Sequence, residues 1–268
     1  MSEILLQVEN LSVVYGNGHE AVHDVNFQLT GGNCCALVGA NGSGKSTVFN
    51  AIMGLVPVAR GRVRLNGAPV AEALKHNGLA YVPQNDHIDH SFPILVEEVV
   101  MLGRYGHMNW RRRAGPEDRA KVQAALERLA IAPLAKRQIG ELSGGQRKRV
   151  FLARALAQES RVILLDEPFT GVDVQTEFAV MELLGELRQS GYLLLVSTHN
   201  LGAVPRFCNE TILLNRTVIA QGPVQDIYNL ANLELAFGSA LKNVGLAGLN
   251  IISDDEHPAV FNEEGKTL

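Results

Sequence analysis

Two stretches of the chain carry the residue types and spacing that phosphate chemistry needs. "GANGSGKST" at 39–47 completes the pattern G-x-x-x-x-G-K-[ST] with Gly39, Gly44, Lys45 and Ser46. Glycines at this spacing let the backbone curl so that its N–H groups face an anion, and a helix beginning at the end of the loop adds the partial positive charge of its N-terminus. Lys45 is then expected to reach the terminal phosphates of a nucleoside triphosphate, and Ser46 to ligate magnesium. The cradle as a whole comprises Gly39, Ala40, Asn41, Gly42, Ser43, Gly44, Lys45, Ser46 and Thr47. The second stretch, "VILLDEP", ends an apolar run on two carboxylates, and its Asp166 stands 121 residues after Lys45. Asp166 is expected to steady the magnesium, and Glu167 to accept a proton from the attacking water as general base.

Two more polar residues close apolar runs. His199 ends "YLLLVSTH" and Gln84 ends "LAYVPQ". A single histidine after a strand usually serves structure, but one that follows the acidic strand is read as a γ-phosphate contact that orients the water. Gln84 offers both a donor and an acceptor, which suits a contact to magnesium or to the water, so Glu167, His199 and Gln84 form the expected catalytic set. The stretch "ELSGGQRKRV" poses a different problem. Ser143 and Gln146 make a capping box, a sufficient local reason for both. The box does not explain Gly144 and Gly145, which weaken a helix start while leaving its N–H groups bare to an anion. Ser143, Gly144, Gly145 and Gln146 are therefore read as a second phosphate cradle.

The elements that must position these groups follow from periodicity. "ILLQVENLSVVY" and "AVHDVNFQLT" read as an antiparallel strand pair around the turn-prone "GNGHE". "CCALVGA" is a short buried strand running into the glycine loop, and "STVFNAIMGL" the helix after it. "GRVRLNG" and "LAYVPQ" are further strands, the latter stopped by Pro83. From about 97 to 160 the pattern is helical, with Pro116 in a first turn and Val122, Leu126 and Leu129 on one stripe. "RVILLDEP" and "YLLLVSTH" read as strands of a parallel sheet, joined by the helix "VQTEFAVMELLGELRQ" that Gly191 closes. "ETILLNRTVIAQG" reads as a strand pair about an Asn-Arg turn; beyond about 230 the patterning weakens and the end is acidic.

Composition excludes other classes. The 268 residues are 46% hydrophobic and carry a formal charge of −4, enough for a real core and without the basic field that nucleic-acid binding requires. The three cysteines match no disulfide or zinc spacing and are read as reduced thiols filling the core. No apolar run is long enough to span a membrane and "MSEILLQ" is not a secretory leader, so any membrane role is expected to depend on another protein.

Taken in order, the glycine loop, Gln84, "LSGGQ", "DEP" and His199 resemble the ATP-binding-cassette ATPases over roughly residues 4–230. The resemblance implies an α/β fold: a P-loop NTPase, RecA-like core with a parallel sheet, an N-terminal antiparallel β subdomain and an all-helical insertion at about 97–160. Residues 1–230 would form this domain and 231–268 a C-terminal extension. It also implies ATP with magnesium, the latter held by Ser46, Gln84 and Asp166, and a second copy of the chain in a head-to-tail dimer. Each "LSGGQ" would then complete the partner's site, which explains a second cradle in one chain. Tyr15 matches the aromatic that stacks on adenine and Asp173 the acid that links the two sites. The chain shows Thr-Gly-Val-Asp where the family usually has Ser-Ala-Leu-Asp, and Asn200 where Asp is usual.

Within the family, "HIDHSFPILVEEVVMLGRYGHMNWRRR", "DEPFTGVD" and "DDEHPAVF" resemble the ATPase subunits of bacterial manganese, iron or zinc importers. That implies membrane permease subunits as partners, indirectly a solute-binding protein, no nucleic acid, and a peripheral place on the cytoplasmic face of the inner membrane. The alternatives are a siderophore or cobalamin importer and a soluble, non-transport cassette ATPase. His87, Asp89 and His90 are read as a solvated or permease-docking loop rather than a metal site, and the "WRRR" at 110–113 as an exposed basic loop.

Overall fold

The computed structural model describes residues 4–84 and 93–238, together with the backbone of 250–252 and 259–261. Its centre is a six-stranded sheet in the order β10-β9-β3-β8-β7-β6. The strands are β3 (Cys34–Val38), β6 (Leu79–Val82), β7 (Val162–Asp166), β8 (Leu193–Thr198), β9 (Glu210–Asn215) and β10 (Thr217–Pro223). All adjacent pairs are parallel except the β9–β10 edge. Strands covered on both faces must be apolar throughout, and β3, β7 and β8 are buried at every position.

The two-residue period of a strand divides this sheet between two cores. Cys34, Ala36, Val38, Ile163, Leu165, Leu194 and Val196 face a helical layer; Cys35, Leu37, Leu164 and Leu195 face the second sheet and α1 (Lys45–Ile52). The second sheet is antiparallel, order β2-β1-β4-β5, with β1 (Leu5–Val14), β2 (Glu20–Thr30), β4 (Arg60–Leu65) and β5 (Ala68–Pro69), followed by the short α2 (Val70–Lys75). The helical layer contains α3 (Val96–Met101), α4 (Pro116–Arg128), α5 (Gly144–Ala157) and α6 (Val174–Gln189), then α7 (Val204–Phe207). The first three are the helical insertion, and Val122, Leu126 and Leu129 bury the expected stripe.

Arg104 ties this insertion together. Its guanidinium is 3% exposed and donates to Asp118 of α4, to the Ala157 carbonyl that ends α5 and to Glu159. Two carboxylates and a carbonyl on Nε and Nη1 offset the cost of burying the cation, and losing one of them would leave that charge partly uncompensated.

Two local features differ from the sequence expectations. The Asn-Arg turn is tighter, since Asn215 ends β9, Thr217 begins β10 and only Arg216, at φ 61°, lies between. After α8 (Val224–Ile227) the weakly patterned stretch forms α9 (Leu230–Phe237), capped by Asn229, which buries Leu233, Ala236 and Phe237. Eight residues are too short for a clear helical stripe, so packing against β9 is what makes the helix. Cys34 and Cys208, 174 positions apart, bring their sulfurs to 3.6 Å in the core. Both are free and buried, as expected of core filler, and burial pushes the Cys208 thiol up. Strands β11 (Asn250–Ile252) and β12 (Ala259–Phe261) form a separate antiparallel pair.

Candidate nucleotide site and its carboxylates

The loop at 39–44 leaves the carboxyl end of β3 and α1 begins at Lys45. Glycine is required here by space and by backbone angle. A Cβ on Gly39 would lie 2.2 Å from the Leu214 carbonyl oxygen, and one on Gly44, at φ 99°, 2.2 Å from a Val22 methyl. Gly42 sits at φ 80° with open space beyond it. Lys45 is 7% exposed and folds back to donate to the carbonyls of Gly39 (2.8 Å) and Ala40 (3.1 Å). Burial lowers its pKa, while the nearby carboxylates of Glu167 and Asp166 oppose that shift. Ser43 Oγ is buried with no partner among the described residues. A buried ammonium held by loop carbonyls, an orphaned hydroxyl and a glycine curve fit a phosphate group.

Asp166 and Glu167 follow on β7 and His199 on β8, which runs between β7 and β3, so all reach the same sheet edge, where ligands gather in parallel α/β folds. Asp166 is buried, accepting from Ser197 Oγ and, at 3.4 Å, from the Tyr81 hydroxyl. Burial, then the Asp166 charge, raises the Tyr81 pKa, so its hydroxyl stays a donor. Glu167 Oε2 accepts from Gln84 Nε2 at 2.7 Å and lies 3.2 Å from His199 Nδ1. The three residues assigned a catalytic role therefore meet at one carboxylate oxygen. The sequence missed a fourth member: Thr170 Oγ1 donates to the same oxygen at 3.0 Å. Thr170 opens the Thr-Gly-Val-Asp stretch already compared with the family, but nothing local in "DEPFT" says that its hydroxyl reaches the Glu167 carboxylate.

Ser46 is exposed in the first turn of α1. With Gln84 and Asp166 it could hold magnesium on a bound triphosphate. Among the described residues no group of three or more His, Cys, Asp or Glu could hold a metal ion. Tyr15 is brought to the cradle as well, its hydroxyl 3.1 Å from Thr47 Oγ1 with the ring 37% exposed.

Ser143, Gly144, Gly145 and Gln146 lie elsewhere. Ser143 caps α5, its hydroxyl accepting from Gln146 N at 3.3 Å while Gln146 Oε1 accepts from Ser143 N at 3.0 Å. Among the described residues no hydrogen bond joins 143–146 to 39–47. Packing bears on one of the glycines: a Cβ on Gly144 would be a tight 3.2 Å from the Gly171 carbonyl, whereas one on Gly145, 3.4 Å from Asp173 Oδ2, would make an ordinary contact. Asp173 itself caps α6, accepting from Thr176 N (2.9 Å) and Thr176 Oγ1 (2.8 Å), and the first of these bonds leads in lowering its pKa. His87, Asp89 and His90 lie outside the described residues. The basic loop is exposed, with Trp110 84% accessible and Arg111 stacked on it.

A phosphate cradle and an acidic strand end on one sheet edge place the molecule among P-loop nucleoside triphosphatases, and the helical insertion bearing "LSGGQ" narrows the class to ATP-binding cassettes. The family model described as ABC transporter matches residues 22–170, more than half of the chain. The chain is 55% identical over 267 residues to the "Chelated iron transport system membrane protein YfeB" of Yersinia pestis, covering 96% of this chain and 90% of the relative. It is 51% identical over 238 residues to the "Manganese transport system ATP-binding protein MntA" of Synechocystis, covering 89% and 92%. A bacterial ABC transporter cassette solved as a dimer superposes with a TM-score of 0.71 at 26% identity, covering 82% of this chain and 98% of that one. The chain belongs to the ABC transporter ATPase family, and it binds and hydrolyses ATP.

Proposed function

We propose that the protein is the ATP-hydrolysing subunit of an importer for a transition-metal ion or its chelate, with manganese, iron or zinc as cargo. The observation that carries the enzymatic half is the convergence of Gln84 and His199 on Glu167, on the sheet edge that also holds buried Lys45. The cargo half is supported by the relatives' iron and manganese systems. In this reading, Gly39 to Thr47 cradle the phosphates, Tyr15 stacks on adenine, and Lys45 bears on the terminal phosphates. Ser46, Gln84 and Asp166 hold magnesium, which when bound neutralises charge on the β- and γ-phosphates. Glu167 accepts the proton of the attacking water and His199 orients that water. Ser143 to Gln146 complete the site of a second copy arranged head to tail, and Asp173 lies at the seam. Catalysis is then mostly positioning and charge stabilisation, as phosphoryl transfer demands.

No helix among the described residues is long and apolar enough to cross a membrane, so membrane association runs through a permease, at the cytoplasmic face of the inner membrane. The helical insertion offers it a seat: a groove of about 890 Å³ between α3 and α4, floored by Ile94, Met101, Leu102 and Leu126 and rimmed by Glu97 and Lys136. An amphipathic permease segment suits it, its apolar side on the floor and its polar side at the charged rim. A solute-binding protein would deliver cargo from the far side. The test is affinity purification from detergent-solubilised membranes, paired with manganese, iron and zinc uptake in a deletion strain. Recovery of a polytopic permease and loss of uptake of one ion are expected; normal uptake of all three rejects the cargo, and purely ribosomal or DNA association rejects transport.

A further inference from the structure

The turn after β7 holds Glu167 in an unusual state. Its φ is 48°, the left-handed region that a non-glycine residue enters only when its surroundings demand it. The surroundings do so from both sides of the main chain. Its N–H donates to Ser197 Oγ at 3.0 Å, and its carbonyl accepts from Lys148 Nζ at 3.4 Å, a lysine that also holds the Gln84 carbonyl at 2.6 Å. The backbone therefore aims the side chain, but it does not settle which carboxylate oxygen points where, because the terminal torsion of a glutamate is broad and nearly two-fold.

That choice is made by hydrogen bonds. Gln84 Nε2 and Thr170 Oγ1 both donate to Oε2, His199 Nδ1 lies 3.2 Å from the same oxygen, and no described residue donates to Oε1. Gln84 and His199 have other duties in the proposed reaction, toward magnesium and the γ-phosphate. Thr170 has none. Its N–H is bonded to the Glu167 carbonyl at 3.3 Å, so its hydroxyl is tethered to the carboxylate by a single short turn. It is the donor that stays when Gln84 turns to the nucleotide.

We propose that Thr170 is a positioning residue for hydrolysis: its hydroxyl pins Oε2 of Glu167 so that Oε1 is presented to the attacking water. This rests on the reading of Glu167 as general base. A hydrogen bond to a charged group is worth enough that removing it is expected to slow turnover about tenfold without weakening nucleotide binding.

The test compares full-length wild type with Thr170→Val, Thr170→Ala, Thr170→Ser and Glu167→Gln in steady-state magnesium-ATP hydrolysis. Thr170 is exposed, so its variants should fold, and binding of a fluorescent ATP analogue checks this. The expected result is a kcat lowered about tenfold in Thr170→Val and Thr170→Ala, KM for ATP within about twofold, and recovery to within about twofold in Thr170→Ser. A Thr170→Val or Thr170→Ala kcat equal to wild type, or a Thr170→Ser as slow as Thr170→Val, overturns the inference. Wild-type turnover in Glu167→Gln instead overturns the general-base reading itself, so the two failures are distinguishable.

Discussion

The glycine loop at 39–47 and the glycine pair at 143–146, which is proposed as a second cradle, are built to different standards. At 39–47 the loop is enclosed: glycines pressed against Leu214 and Val22, a buried lysine, an orphaned serine hydroxyl, and two carboxylates opposite. At 143–146 there is only a helix start with its own capping box, an exposed Ser143, and two glycines packed against residues 171–176. The first has a cation, a candidate base and metal-binding oxygens. The second can donate hydrogen bonds and nothing more. A cradle that is incomplete as chemistry yet formed as geometry makes sense if another copy of the chain supplies the phosphate.

Four experiments break or sharpen that contrast. The largest effect is expected from Glu167→Gln, which should lower kcat about 10³-fold while ATP still binds and holds two copies together, as read by single-turnover assay and sedimentation. Next, Lys45→Met and Ser143→Arg should each be inactive alone, one spoiling the first cradle and the other the second. Mixed in equal amounts, they should recover about a quarter of the wild-type rate, since half the dimers are mixed and each of those keeps one intact composite site. If the mixture stays inactive, the second cradle does not serve a partner. A smaller effect is expected from Gly39→Ala: forcing a methyl against the Leu214 carbonyl should cost about 1–3 kcal/mol, a Tm loss of about 3–10 °C by calorimetry. The smallest is Ser143→Ala, which removes a cap worth about 1 kcal/mol and should lower Tm by about 2–4 °C, with a larger fall in ATPase rate than in stability.

The difference between the cradles also explains what could be read without coordinates. The glycine loop and the capping box are local patterns, each dictated by backbone sterics within a few residues, and both appear where the residue order places them. Strands β3, β7 and β8 were legible because burial on both faces leaves apolar residues no alternation to hide in. Asp173 shows the limit: its expected role lies between two copies, whereas in this chain it caps α6, and both uses fit one exposed carboxylate. Helix α9 was missed because eight residues make little pattern, and its burial depends on packing against β9 and β10, which no periodicity within the helix reveals.

The sequence by itself determined the nature of the nucleotide cradle, the acids at the end of β7, the helical insertion and the family, because each rests on spacing that short-range geometry enforces. Only the tertiary structure decided that Gln84, Thr170 and His199 share one oxygen of Glu167, and that "LSGGQ" stands apart from its own chain's phosphate loop. Those facts depend on the strand order β3-β8-β7-β6, which sets the ends of distant segments side by side. Strand order is a property of how whole layers pack, and no local periodicity encodes it.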